Sequence, residues 1–107
     1  MTERGLAEKP TFTYDEAAAL LPEVRELTEE AYLKVEALGG KPDADERVQR
    51  IVVAWAEAMV TKGIEVKGLW LVDFDNGSGY YCWRYPETGL HFYHSYEEGF
   101  GGRVRIQ

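Results

Sequence analysis

The hydrophobic pattern of this chain changes its period near Gly63, and that change decides its fold class. Before Gly63, apolar residues recur every three or four positions, as they do along one side of an α-helix. After it, short runs rich in aromatic and β-branched residues alternate with glycine-containing turns, which is typical of β-strands. Helices followed by strands predict an α+β fold. We expect a flexible tail over residues 1–10 and one α+β domain over residues 11–107.

Two amphipathic helices are predicted within residues 13–62. The first begins with a capping box, in which Thr13 caps the helix and Glu16 reaches back to the backbone of Thr13. Its apolar stripe keeps its phase across Pro22, which favours one kinked helix; the alternative is a short first helix, with Pro22 opening the next. A short turn separates the second helix, which Gly63 ends as a left-handed cap. The pair therefore predicts an antiparallel helical hairpin.

Residues 64–107 predict a three-stranded antiparallel β-meander followed by a glycine-rich loop, with the last residues as a candidate edge strand. Simple turn pairing places Phe74 opposite Tyr80 and Tyr85 opposite Leu90. In this register both faces of the sheet are mostly apolar or aromatic, whereas the helical hairpin can cover only one of them. We therefore expect a homodimer that buries sheet or helix surface.

The polar side chains of this aromatic sheet are the first candidates for function. In the expected register Asp73 opposes Tyr81, which opposes His94, and a nearby carboxylate favours a protonated imidazole. This arrangement predicts a small acid–base or binding cluster; the alternative is a buried histidine that is merely hydrogen-bonded. Asp73, His94 and Glu98 are also possible zinc ligands, although no spacing here is diagnostic. Cys82 is expected on the face opposite His94, as a buried and unreactive thiol.

The glycine-rich loop before Arg103 is the second candidate. Its backbone amides and the guanidinium group suit a carboxylate or a phosphate. The alternative is that Arg103 pairs with Glu87, Glu97 or Glu98. Arg84 is placed among Trp70, Tyr80 and Tyr93 and is expected to stack on a ring. The alternative is that this aromatic cluster stacks a nucleobase or another planar ligand, although the basic groove that nucleic-acid binding needs is missing.

The charge and the cysteine content limit the classes of binding partner and the compartment that we expect. The net charge is −7 and neither half of the chain is basic, which disfavours nucleic acids and anionic membrane surfaces. The single cysteine cannot form an intrachain disulfide, which fits a reducing compartment. With no leader-like start and no apolar run long enough for a bilayer, we expect a cytoplasmic protein.

Several short stretches, concentrated in the C-terminal half, match a known pattern. They are Phe12-Thr13, Glu16-Ala17, Leu20-Leu21-Pro22, Gly63-Ile64-Glu65-Val66-Lys67, Leu71-Val72-Asp73-Phe74, Cys82-Trp83-Arg84, Glu87, His94, Glu98-Gly99-Phe100 and Gly102-Arg103. On these residues the chain resembles the prokaryotic family called domain of unknown function 2203. The resemblance covers nearly the whole chain from Phe12 to Arg103.

The resemblance implies that Asp73, Arg84, Glu87, His94 and Arg103 belong to a family pattern, which makes them the candidate ligand-binding residues. The family is uncharacterised, so the resemblance implies no substrate and no catalytic residue. We expect a homodimeric binding or interaction module that holds a partner or a small anionic ligand, without a resident cofactor. The alternatives are a metal-binding protein or small enzyme that uses Asp73 and His94 with a nearby glutamate, and a purely structural subunit.

Overall fold

The structure, a computed structural model, describes residues 9–106. The elements in chain order are α1 (Tyr14–Ala37), α2 (Ala44–Thr61), β1 (Glu65–Gly68), β2 (Leu71–Asp75), β3 (Tyr80–Arg84), β4 (Phe92–His94), a 3₁₀ turn (Phe100–Gly102) and β5 (Val104–Arg105). The predicted α+β class is confirmed. Most of the predicted N-terminal tail, residues 1–8, lies outside the described residues.

The start of α1 is the predicted capping box. The Oγ1 atom of Thr13 accepts a hydrogen bond from the backbone N–H of Glu16 at 3.1 Å. The carboxylate of Glu16 accepts one from the N–H of Thr13 at 2.9 Å. These two bonds satisfy amide groups that a helix start otherwise leaves without partners. The helix then continues through Pro22, so the alternative of a break at Pro22 is wrong.

A buried hydrogen-bond chain joins the two helices of the predicted hairpin. The indole Nε1 of Trp55 donates to the hydroxyl of Thr28 at 2.8 Å, and that hydroxyl donates to the carbonyl of Val24 at 2.7 Å. Gly63 follows α2 with φ +83°, a left-handed conformation that strains any other residue. The chain thereby reverses direction and enters the sheet. Neither helix within the described residues has the length and hydrophobicity that a bilayer crossing needs.

Within residues 9–106 the sheet is antiparallel and has five strands in the order β1-β2-β3-β4-β5, so the prediction of three strands is wrong. The strand β5 is the edge strand suggested for the C-terminal residues. The strand β1 escaped prediction because it is only four residues long and half polar. Leu69 and Trp70, assigned from sequence to a strand, instead form the turn between β1 and β2, where Trp70 takes a φ of 60°.

The pairing of the central strands differs from the expected register by one residue at each connection. Phe74 pairs with Tyr81 rather than Tyr80, because the turn between β2 and β3 contains four residues and not five. The next connection is longer than the expected four-residue turn, so β4 begins at Phe92 and not at Leu90. A one-residue shift moves every side chain of a strand to the other face of the sheet.

The two shifts have opposite consequences for the polar residues. The first shift reverses the faces on which the side chains of β3 lie relative to β2. The second shift reverses those of β4 relative to β3, so β4 keeps its expected orientation relative to β2. Asp73 and His94 therefore share a face, as predicted. Cys82 was expected on the other face but lies with them, and Tyr81, expected between Asp73 and His94, points to the helices instead.

The observed register gives the sheet one apolar face and one face of mixed character, on which charged side chains lie among apolar ones. Val72, Phe74 and Trp83 are fully buried against the helices and form the core with them. The opposite face, called here the outer face, carries Asp73, Asp75, Tyr80, Cys82, Arg84 and His94 together with the apolar Leu71 and Phe92. The expectation of two apolar faces is therefore wrong, and the homodimer, which was inferred from them, stays a prediction without that support.

Candidate functional site

Three neighbouring strands bring a carboxylate, a thiol and an imidazole together on the outer face. Asp73 on β2 pairs directly with Cys82 on β3, and His94 lies on β4 beside them. The three residues are 2%, 0% and 2% exposed. Their potential ligand atoms all lie within 4.8 Å of one another. We call these three residues the Asp–Cys–His cluster.

The hydrogen bonds of His94 define the chemistry of the cluster. Its Nδ1 lies 2.8 Å from the carbonyl oxygen of Ser95, and a carbonyl only accepts, so Nδ1 carries a proton. Its Nε2 lies 3.0 Å from Oδ2 of Asp73. A bare Nε2 and a carboxylate oxygen are both acceptors, and they need a positive centre between them. That centre is either a proton shared between His94 and Asp73 or a cation.

Asp73 also carries an oxygen without a partner. Among the described residues, Oδ1 of Asp73 has no hydrogen bond although it is buried. A buried carboxylate oxygen without a partner is costly, and such atoms are rare in native proteins. The ammonium group of Lys67 lies 3.6 Å from the other oxygen, Oδ2. Partial burial works to lower the pKa of Lys67, but Asp73, Tyr80 and Glu65 together outweigh it and raise that pKa.

The thiol of Cys82 is protonated at neutral pH. Burial, reinforced by the negative charge of Asp73, raises the pKa of Cys82 to about 12. Arg103 opposes this shift, with its Nη1 3.9 Å from the sulfur. A thiol with so high a pKa does not act as a nucleophile. The expected low reactivity is therefore supported, although the residue lies beside His94.

A cavity of about 310 Å³ opens onto the cluster. Besides the cluster itself, its walls are Lys67, Leu71, Glu98, Gly99 and Phe100. The last three belong to residues 95–103, called here the C-terminal loop, which crosses the outer face. The predicted candidate Glu98 thus lies in the same cavity, but it is exposed and is not among the residues whose ligand atoms meet.

The remaining candidates form a second group that anchors the C-terminal loop. The guanidinium group of Arg103 donates two hydrogen bonds to the carboxylate of Glu87, at 3.1 and 2.8 Å. It lies 3.9 Å from the ring centre of Phe92 and 4.0 Å from that of Phe100. The backbone N–H of Arg84 donates to the same Glu87 carboxylate at 2.9 Å.

These contacts answer the question of what Arg103 binds. Of the alternatives open from the sequence, pairing with Glu87 is the one found, and both terminal nitrogens of Arg103 point to that carboxylate. The side chain of Arg84 is exposed, and its guanidinium carbon lies 5.6 Å from the ring centre of Phe100. The predicted residues therefore fall into two groups, which Arg103 connects through Cys82.

Two residues of the site were missed by sequence reasoning. Cys82 was set aside because of the shifted register, and no signal short of the correct turn length would have placed it beside His94. Lys67 belongs to the unrecognised strand β1. A pairing of β1 with β2 would have placed it near Asp73, since Glu65 pairs with Asp73 directly.

A carboxylate, a thiol and an imidazole are all established zinc ligands. The ring of His94 is oriented as in many metal sites, because a histidine ligand usually donates its other N–H to a carbonyl or carboxylate. In a tetrahedral zinc site with bonds of about 2.0–2.3 Å, ligand atoms lie roughly 3.3–3.8 Å apart. The ligand atoms of the cluster, which lie within 4.8 Å of one another, must therefore rearrange before they can hold an ion in this geometry.

Comparison with known proteins gives one match. A family model described as "Uncharacterized conserved protein (DUF2203)" matches residues 31–106, which include the whole sheet and the C-terminal loop. Neither the curated proteins nor the solved structures contain a significant match to the chain.

Proposed function

The chain belongs to the DUF2203 family of uncharacterised conserved proteins, and we propose that it is a metal-binding protein whose Asp–Cys–His cluster holds one divalent transition-metal ion. Zinc is the best fit, because it accepts oxygen, nitrogen and sulfur ligands in one tetrahedral site. The observation that carries the proposal is the buried Oδ1 of Asp73, which has no partner within residues 9–106, beside a histidine whose Nε2 faces a second acceptor.

The charges of the cluster support this proposal. With one proton shared between His94 and Asp73 and a neutral thiol at Cys82, the cluster has no net charge. A zinc ion that displaces this shared proton and the proton on the thiol leaves the net charge unchanged. Binding therefore exchanges one Zn²⁺ for two protons without placing a new net charge in a buried site.

The groups around the cluster are compatible with that exchange. Lys67, which lies near Asp73 Oδ2, also lies 3.5 Å from the carboxylate of Glu65 and has that second partner available. Arg103 is neutralised by Glu87. Neither cation therefore contributes an uncompensated positive charge against a metal ion.

The test is a titration of the metal-free protein with Zn²⁺ in weakly buffered solution. We expect one Zn²⁺ per chain, release of about two protons per ion, and, with Co²⁺ instead, a charge-transfer absorption from a sulfur ligand. Cys82→Ser should abolish the sulfur signal. His94→Gln should weaken zinc binding by more than the 10–100-fold that loss of a supporting residue costs.

The matched control is His91→Gln, since His91 is the only other histidine and is not part of the cluster. This variant should keep full zinc affinity. The proposal is overturned if micromolar zinc does not bind, or if Cys82→Ser and His94→Gln bind it as the unaltered protein does. In that case the cluster is a structural network, and the protein is better regarded as a binding module or a structural subunit.

A second candidate, a small metal-dependent enzyme, is favoured by the number of protein ligands. Structural zinc sites usually have four protein ligands, whereas catalytic sites have three and leave one position for water or substrate. The cluster offers three ligands at the wall of a cavity. If the Co²⁺ spectrum shifts when a small anion such as azide is added, the fourth position is exchangeable and an enzyme is favoured.

A further inference from the structure

One side of α2 is exposed although it carries an apolar residue at its centre. Arg50, Val53, Ala54 and Glu57 follow one another at helical spacing and form a single stripe, called here the α2 stripe. All four residues are exposed, and Val53 is 48% exposed. The α2 stripe is continuous with a groove of about 330 Å³ between the two helices, in which Leu27, Ala31, Ile51 and Trp55 take part.

We propose that the α2 stripe is the interface through which two copies of this chain associate, with the two α2 helices packed antiparallel. The occupant is indicated by the order of charges along the stripe. Reversing the stripe end to end about a two-fold axis between Val53 and Ala54 brings Arg50 to the partner's Glu57. The symmetry makes this opposite-charge pair twice and packs each Val53 on the partner's Ala54.

The alternative packings are less favourable. A parallel arrangement opposes Arg50 to Arg50 and Glu57 to Glu57, and like charges in direct opposition are repulsive. Among the residues that the structure describes, the ion pair of Arg50 is the one with Glu46, which is exposed, 3.4 Å long and confined to the helix surface, so it does not hold Arg50 strongly. Small side chains at Ala54 and Ala58 let a second helix approach closely over the groove.

An interface on the helices also agrees with the surface of the sheet. The outer face carries charged side chains among its apolar ones and is crossed by the C-terminal loop, so the sheet does not supply a continuous apolar surface for association. The two hairpins together form a four-helix arrangement, in which the groove between α1 and α2 is covered by the partner. The inference does not depend on the metal site, which lies on the other side of the sheet from the helices.

The experiment is sedimentation of the full chain over a range of micromolar to submillimolar concentrations. The unaltered protein should be dimeric. Glu57→Arg should weaken association by about tenfold or more, because it replaces both attractive pairs by repulsive ones. Arg50→Glu should do the same, and the double variant Arg50→Glu/Glu57→Arg should restore the dimer because it restores both pairs in reverse.

The matched control is Glu29→Arg, an equal change of charge at an exposed position of α1 outside the stripe. It should leave association unchanged. Circular dichroism should show every variant folded, since all the altered residues are on the surface. A monomeric unaltered protein overturns the proposal, as does a dimer that ignores Glu57→Arg. Failure of the double variant to recover overturns the antiparallel pairing.

Discussion

The Nε2 atom of His94 lies 3.0 Å from Oδ2 of Asp73, and both residues are almost completely buried. Buried charges of this kind are costly to remove from water and depend on each other. The pair also joins β2 to β4 across the intervening strand, so it ties together three strands of the sheet. Its loss affects both the fold and the proposed metal site, and the two effects are separable.

The first prediction concerns the coupling of this pair. Asp73→Ala and His94→Ala should each lower the free energy of unfolding of the metal-free protein by about 3 kcal/mol, because each leaves a buried polar partner behind. The double variant should lose less than the sum, with a coupling of roughly 1–3 kcal/mol. Urea unfolding at neutral pH measures all four proteins. Strict additivity would show that the two side chains do not interact, and Asp73→Ala combined with His91→Ala is the control expected to be additive.

The second prediction concerns the anchoring of the C-terminal loop. Arg103→Lys keeps the charge but loses the two-pronged hydrogen bond to Glu87 and the flat contacts with Phe92 and Phe100. We expect a loss of about 1–3 kcal/mol and faster amide hydrogen exchange over residues 95–102.

The control for the loop is Arg105→Lys, because the charged or aromatic contact of Arg105 within the described residues is a distant one, 5.4 Å from its guanidinium carbon to the ring centre of Phe92. This variant should exchange as the unaltered protein does. If Arg103→Lys leaves the exchange of the loop unchanged, the contact with Glu87 does not hold the loop in place.

The third prediction follows from the raised pKa of Cys82, about 12. In the metal-free native protein at pH 8 the thiolate fraction is about 10⁻⁴, so iodoacetamide should modify Cys82 at least about a thousandfold more slowly than in the unfolded chain. Folding holds the proton on the thiol, whereas the unfolded chain releases it near pH 8.5–9. The contribution of the protonated Cys82 to the free energy of unfolding is therefore complete below that range and is lost as the pH rises toward 12.

The comparison of the unaltered protein with Cys82→Ala isolates this effect from other groups that titrate at high pH, such as Tyr96, whose hydrogen bond to Asp75 raises its pKa to about 12. The difference in unfolding free energy between the two proteins should fall with a slope of at most about 1.4 kcal/mol per pH unit above pH 9. A difference that does not change between pH 8 and pH 11 would contradict the protonated, buried thiol.

Much of the helical half was predictable because its signals are local. The capping box at Thr13 and the left-handed Gly63 depend only on residues within one turn of the chain, and both are found. The sheet was harder because its register depends on the lengths of the connections. Trp70 illustrates the difficulty, since nothing in its local sequence indicates that a tryptophan takes a positive φ.

The site was predicted only in part, because its geometry also depends on the lengths of the connections between strands. Asp73 and His94 were paired correctly because two register errors cancelled between β2 and β4. Cys82 lies on β3, between those strands, where only the register error at the connection between β2 and β3 applies. The sequence therefore assigned Cys82 to the wrong face of the sheet. The pairing of Arg103 with Glu87 was one of several equal possibilities, since charge alone does not distinguish Glu87 from Glu97 or Glu98.

The four-residue turn between β2 and β3 has an evolutionary consequence. One residue inserted into or deleted from it would carry both Cys82 and His94 to the helix side and leave Asp73 alone. A compensating change in the following connection would return His94 but not Cys82. Natural variants should therefore tolerate many substitutions in these turns but almost no change in their length. Where a family member does have a gap in either turn, its equivalents of Asp73, Cys82 and His94 should not all lie on one face.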